Sequence, residues 1–261
     1  MSRTVVQPWQ PAFEPEWALA IAVFAVDYVV VVRSFERRGR AVPRIRRISF
    51  AAGLLVLAVA LLSPIEHLAL TSMLSFHLLQ NVMIADWAPP LLLLGLTPAM
   101  IVAIERLPGL RRAVRPWLAF TVWVATWYVV HLPPIYDYAL THRAALGVEH
   151  IAFIVSGLVF WWPDLVDGYL SLRGRVVYLF LAMMAMMPLN IAIALAGHPL
   201  YSFYRDTPKL GNLSALADQR IAGATTLALE TVILGVAALA AAIQLVREER
   251  RRGVYLDAVA G

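Results

Sequence analysis

The sequence predicts an all-α, polytopic membrane protein with seven transmembrane helices, its N-terminus outside and its C-terminus inside. Three observations predict this. The 261-residue chain is 61% hydrophobic with a mean hydropathy of +0.71, well outside the range of soluble globular domains. Its apolar residues gather into seven windows whose lengths approach the roughly 17 to 25 residues that cross about 30 Å of hydrocarbon. Its basic residues alternate sides: 17 of the 22 fall in the loops after spans 1, 3 and 5 and in the tail after span 7. The other five are Arg3, Arg143, Arg205, Lys209 and Arg220. Positive charge stays cytoplasmic, which sets the orientation.

The spans follow in order. Span 1 runs near residues 17–32, and the arginine-rich loop after it begins at Arg33. Span 2, near 48–62, stops at Ser63-Pro64, and span 3 covers 73–94. Span 4, near 117–131, ends at Leu132-Pro133-Pro134; span 5 covers 146–162, span 6 covers 176–196 and span 7 covers 219–246. Together they make one integral domain over residues 1–261, with the lipid bilayer as its first partner. No short apolar stretch followed by a small-residue cleavage site opens the chain, so span 1 is expected to act as an uncleaved anchor. Trp9, Trp17, Trp117, Trp161 and Trp162 fall near expected interfaces, as in an aromatic belt.

Composition also excludes function classes. With no cysteine, disulfides and thiolate metal sites are ruled out. The net charge of +5 reflects membrane topology and gives no sign of nucleic-acid binding. No nucleotide-binding, zinc-protease or serine-hydrolase motif and no credible nucleophile–base pair occurs, so the protein is expected not to be an enzyme.

What remains is a set of polar residues at telling depths. All six histidines, His67, His77, His131, His142, His150 and His198, lie in or beside the expected outer segments. Imidazole is the commonest metal-binding side chain and titrates near neutral pH. On a helix His77, Gln80 and Asn81 share one face, at positions i, i+3 and i+4. That face suits either a ligand with supporting hydrogen bonds or polar contacts between helices. His131 closes span 4, Glu149-His150 opens span 5, His198 closes span 6 and Asp218-Gln219 opens span 7. Neutral imidazoles at matching depth suit copper, zinc, iron or nickel. His67 and His142 are read as loop residues. Asp27, Asp86 and Glu230 are acids expected inside the membrane, where a carboxylate marks a functional site by default. Asp86 lies about 13 Å deeper than His77 and about 180° around a straight helix, and Pro89-Pro90 is expected to bend the helix only beyond it. Met183, Met184, Met186 and Met187 offer soft thioethers, but also read as ordinary packing.

Several segments carry a family resemblance. They are Phe76-His77-Leu78-Leu79-Gln80, Ala88-Pro89-Pro90-Leu91-Leu92, His131-Leu132-Pro133-Pro134-Ile135-Tyr136-Asp137 and Glu149-His150, then Phe160-Trp161-Trp162-Pro163, His198-Pro199-Leu200-Tyr201 and Leu216-Ala217-Asp218-Gln219. In this order, from about residue 60 to 225, the chain resembles the CtaG-type cytochrome c oxidase assembly factors of bacteria. The resemblance implies an inner-membrane protein that works with cytochrome c oxidase subunits and delivers copper to a haem–copper oxidase. The residues themselves point to His77, His131, His150 and His198 as transient copper ligands, supported by Gln80, Asn81, Glu149 and Asp218; the alternative is a member with weakened copper affinity. One departure stands out: the family pattern reads His-x-x-Gln-His where this chain has Asn81, a poorer copper ligand. Two rival readings stay open. One is a proton-coupled transporter using Asp27, Asp86 and Glu230; the other is a haem-binding membrane protein.

Overall fold

The computed structural model describes residues 14–260, with side chains through Arg251. Among the described residues there is no strand. The helices are α1 (Pro15–Arg37), α2 (Arg44–Leu62), α3 (Pro64–Thr71), α4 (Leu74–Val82), a π-helical turn (Met83–Trp87), α5 (Ala88–Leu94), α6 (Pro98–Ile104) and α7 (Leu110–Ala113). They continue with α8 (Pro116–Val130), α9 (Pro133–Thr141), α10 (Arg143–Leu165), α11 (Leu172–Leu195), α12 (Ser202–Asp206), a 3-10 turn (Leu210–Asn212) and α13 (Ala215–Ala260). Prolines stand in the first turn of α1, α3, α5, α6, α8 and α9. There the missing N–H has no intrahelical acceptor to lose and the fixed φ suits helix entry.

Five helices, α1, α2, α10, α11 and α13, are long and apolar enough to cross a membrane, and two bent pairs bring the number to seven if each pair counts as one span. The protein is thus a multi-pass, all-helical membrane protein with five to seven candidate spans. The expected spans 3 and 4 are the irregular ones. After Leu94 the chain turns by 118° into α6, and after Val130 it turns by 75° into α9. The irregularity near Asp86 also begins earlier than the sequence reading placed it. A proline ring clashes with the carbonyl four residues back, so Pro89 and Pro90 disturb Ala85 and Asp86 themselves. The chain relieves this with the wide π turn over Met83–Trp87, and such turns often mark functional segments. The prolines that end the expected span 4, Pro133 and Pro134, open helix α9.

Helix α10 organises the interior, packing on α5, the π turn, α8 and α9, while α11 packs along α13. A ladder of rings crosses the bundle: Trp123 stacks on Phe160 at 4.2 Å, Phe160 stacks on Tyr178 at 5.0 Å, and Trp127 meets Phe153 edge-on at 4.8 Å. Trp161 and Trp162 are buried in this core, so they do not belong to an interfacial belt; Trp117 is exposed, and Trp9 lies outside the described residues. Met186 points into the core while Met184 and Met187 face outward, the mixed pattern of packing residues. Lipid offers little hydrophobic drive for helix association, so close contact between small residues matters more. At Gly157 a Cβ would stand 2.1 Å from the Ala85 carbonyl oxygen, so α10 reaches the π turn only without a side chain there. At Gly223 a Cβ would stand 2.7 Å from the Asn190 carbonyl oxygen, which fixes the approach of α13 to α11.

Helix α1 is different. Only 6% of its most apolar window is buried, and it rests mainly on α2, where Tyr28 stacks on Phe50 at 3.8 Å. Asp27, expected as a buried acid, is exposed on α1, at the edge of the apolar cleft between α1 and the bundle. A helix packed along one edge turns half its residues away from the bundle, and hydropathy alone does not say which half.

The contact at Gly157 generates a stability prediction. Gly157→Ala should destabilise the purified protein by about 2 kcal/mol, as overpacking against backbone does. Gly147→Ala, where a Cβ meets nothing within 4 Å, should be neutral or gain up to about 1 kcal/mol of helix propensity. Thermal unfolding in detergent checks the pair, and equal melting temperatures for the two variants would contradict the packing account.

Candidate functional site

The polar residues of the interior form two separate groups. The deeper one surrounds the π turn. Trp123 donates its indole N–H to Asp86 at 3.1 Å, and Asn190 donates to Glu230 at 2.6 Å. The two acids are near enough to influence each other's charge. Asp86 therefore faces α8 and α13, and does not share a site with His77, as their spacing on the helix implied.

The second group sits at the end of the bundle where α4, α8, α9, α10 and α12 converge. Its geometry starts with backbone caps. Asp218 of α13 accepts from the Leu74 amide (2.7 Å), the Ser75 amide (3.3 Å) and the Ser75 hydroxyl (2.6 Å). A carboxylate there satisfies the free N–H groups of α4 and complements its dipole, and it sets the rotation of the helix that carries His77. Asp137 does the same for α12, accepting from the Ser202 amide and hydroxyl and the Phe203 amide, which holds Tyr204 beneath the cluster.

His77, His131 and His150 are all buried. The His77 Nδ1 lies 2.9 Å from the Tyr204 hydroxyl, which itself donates to the Ala69 carbonyl at 2.5 Å. Burial pushes the Tyr204 pKa up, so its single proton stays on the oxygen and goes to Ala69. The hydrogen bond to His77 must then run from Nδ1–H to the tyrosine oxygen, so the second ring nitrogen, Nε2, faces Glu149 at 3.3 Å. A bare ring nitrogen and a carboxylate at that distance repel unless a proton or a metal cation lies between them. His131 is posed in the same way: its Nδ1 lies 2.7 Å from the Trp127 carbonyl, which fixes the proton there and leaves Nε2 bare. Trp127 and Tyr136 stack on its two faces, each at 5.3 Å, and Tyr201 donates to the His131 carbonyl at 3.1 Å. Tyr136 stands between the imidazoles, 5.0 Å from His77. The His150 ring centre is 6.3 Å from that of His77, and Trp17 of α1 lies 5.7 Å from it.

The unsatisfied atoms concentrate here. His77 Nε2, His131 Nε2, both His150 nitrogens, both Glu149 oxygens and the Tyr136 hydroxyl find no hydrogen-bond partner among the described residues. Buried polar atoms left without partners call for an explanation, and bare imidazole nitrogens beside a carboxylate are suited in chemistry to a soft or borderline cation. Among the described residues no three His, Asp or Glu side chains form a group that could hold a metal ion; the Tyr136 ring lies 5.0 Å from His77 and 5.3 Å from His131.

The other expected residues fall as follows. Gln80 donates to the Ala60 carbonyl at 3.0 Å and to the Glu66 carboxyl group. Asn81 is buried, and both its side-chain atoms lack partners among the described residues. His198 stands apart: it is exposed, its Nδ1 lies 3.3 Å from the Pro199 carbonyl, and its own carbonyl accepts from Gln219. The chain returns to the cluster only at Tyr201, which packs on Tyr136 at 4.4 Å, while the His198 side chain stays exposed; depth along the sequence does not reveal this. His67 is half-buried on α3, and His142 stacks on Tyr138 at 3.9 Å at the head of α10. Sequence reasoning missed Tyr136, Tyr204, Trp127 and Glu66. Tyr136 and Trp127 carried a signal in their spacing from His131, five residues after and four before; Tyr204, on a separate helix, carried none.

A multi-pass helical membrane protein with a buried histidine–carboxylate–tyrosine cluster at one end is the class these features define. The chain belongs to the cytochrome c oxidase caa3 assembly factor family (Caa3_CtaG), whose pattern matches residues 26–248. It is also similar to two curated mycobacterial proteins, Uncharacterized protein Mb0105 of Mycobacterium bovis and Uncharacterized protein MT0111 of Mycobacterium tuberculosis. Each is 26% identical over 277 residues, covering 95% of this chain and 40% of the relative. The chain thus spans less than half the length of these relatives. No solved structure matches.

Glu66 generates a prediction about pH. Burial, the main cause, pushes its pKa from 4.5 up to about 8. The fold therefore holds this proton more tightly than the unfolded chain does. The resulting stabilisation is fully present below pH 4.5 and is lost as pH rises to about 8. Melting temperature should fall across that window, and Glu66→Gln should flatten the fall. Identical profiles for the two proteins would contradict the burial of this carboxyl.

Proposed function

We propose that the protein is a non-catalytic assembly factor of the bacterial inner membrane that carries copper to a haem–copper cytochrome c oxidase. In this reading it crosses the membrane seven times with its N-terminus outside, as the distribution of basic residues favours. Copper is its cargo. His77, His131 and His150, with Glu149 beside them, hold the ion, and Tyr136 must swing aside to let the rings converge. The carrying observation is the set of buried ring nitrogens at the cluster: His131 Nε2, freed by the hydrogen bond at Nδ1, both His150 nitrogens, unpartnered among the described residues, and His77 Nε2, 3.3 Å from Glu149. An incomplete ligand set suits transfer, since a closed cage would retain the metal. Asp218 supports the site through α4, and His198 lies outside it. Asn81, where the family pattern has histidine, limits the ligands and favours weak, reversible binding.

The transporter reading keeps one supporting feature, the Asp86–Glu230 pair; it loses Asp27, which is exposed on α1. The haem reading needs a slot between two axial imidazoles, and Tyr136 fills the gap between His77 and His131.

The test is genetic and analytical. A strain lacking the protein should make terminal oxidase with reduced copper content and activity. Restoring the wild type should correct both, and restoring a His77→Ala/His131→Ala/His150→Ala variant that reaches the membrane should not. Full oxidase copper in the deletion strain would reject the assembly role. Full rescue by the triple variant would reject the site.

A further inference from the structure

A cavity of about 480 Å³ opens beside the cluster, between α1, α3, α9 and α10. We infer that it is the loading port through which a hydrated cation reaches His150 from the end of the bundle that carries the start of α1. The inference rests on the reading of the cluster as a cargo site and adds how the cargo gets in.

Three observations meet at this cavity. Its inner wall includes His150, fully buried, with neither ring nitrogen partnered among the described residues. Its mouth carries Glu14 and Glu16. Its side wall includes Glu66, which is near enough to both Glu14 and Glu149 to feel their charge. Acid side chains thus run from the mouth, past Glu66, to the Glu149 beside His77. Among the described residues the one basic side chain in the lining is Arg143, which donates to Glu14 at 2.7 Å and to Glu16 at 2.6 Å. One guanidinium shared by two carboxylates leaves a net negative mouth, and a narrow low-dielectric opening focuses that field. Arg143 is exposed and its pairs are screened by water, so it makes a weak latch that an arriving cation displaces from the carboxylates. An anion meets two carboxylates and an arginine already engaged. Trp17, which lines the same cavity and lies against His150, forms the apolar lip.

The chain has no cysteine, so a single introduced thiol reports on the port without interference. Gly147 lines the cavity, and a Cβ there meets nothing within 4 Å. In the full-length Gly147→Cys protein, the rates of a trimethylammonium and a sulfonate methanethiosulfonate are compared, each normalised to its rate with a free thiol. The cationic reagent should be favoured by about tenfold, the lower end of electrostatic focusing. Adding Glu14→Gln and Glu16→Gln leaves Arg143 unpaired and should abolish or invert the cationic preference. A normalised ratio near one in Gly147→Cys itself, or a preference that survives both substitutions, overturns the inference. As a second measurement, Cu(I) is offered from a coloured chelator to Gly147→Cys carrying either the trimethylammonium group or only a small methylthio cap, so that no free thiol competes for the ion. Uptake should be slowed severalfold by the trimethylammonium group; an unchanged rate also overturns the port. If the wild-type protein takes up no copper at all, the cargo reading fails, and the charge preference alone decides the port.

Discussion

Hydrocarbon around a helix bundle supplies no hydrogen bonds, so every polar group turned inward must find its partner within the protein. That constraint shapes this molecule more than apolar packing does. Asp218 spends its carboxylate on the first turn of α4, Asp137 on the first turn of α12, Gln219 on the Leu200 amide and two carbonyls, and Asn190 on Glu230. These contacts lock the helices at the rotations that bring His77, His131, Glu149 and His150 together. The atoms that remain unsatisfied are concentrated where those helices meet. Unpartnered atoms also occur at Asp86, Trp161, Trp162, Asp164, Arg175 and Glu230, but among the described residues the unpartnered buried imidazole nitrogens all belong to this cluster.

The backbone irregularities serve the same end. Pro89-Pro90 forces the π turn, and Gly157 lets α10 settle against it, so α10 crosses close to the segment that continues α4. Glu149 and His150, two turns earlier on α10, are thereby carried to the face of His77. Pro133-Pro134 turns the chain back as α9 and places Tyr136 between two imidazoles. The aromatic ladder of Trp127, Trp123 and Phe160 below the cluster separates it from the Asp86–Glu230 pair, leaving two polar centres with different surroundings.

Much of this was legible in the chain. Apolar windows gave the all-helical membrane class, and the five regular spans coincide with α1, α2, α10, α11 and α13. The shared depth of His77, His131 and His150 pointed to one end of the bundle, and the structure brings their rings there. Depth alone could not exclude His198, since the direction in which α11 ends depends on its packing against α13. Helical spacing identified the face of Gln80, yet its partner Glu66 comes from α3, a short helix between spans. Asp27 misled because a mid-span acid looks the same whether its helix is central or peripheral. Tyr204, whose oxygen fixes the His77 proton, sits on a helix of five residues that no periodicity announces.

The central claim is that imidazoles and a carboxylate, with no sulfur, hold the cation at this end of the bundle. X-ray absorption spectroscopy of the copper-loaded, full-length protein tests it most directly. The account predicts a copper centre with nitrogen and oxygen neighbours only, at least two of them imidazoles, and loss of that signature when His77 and His150 are replaced. In a chain without cysteine, a sulfur neighbour means methionine, and its appearance in the spectrum would contradict the account.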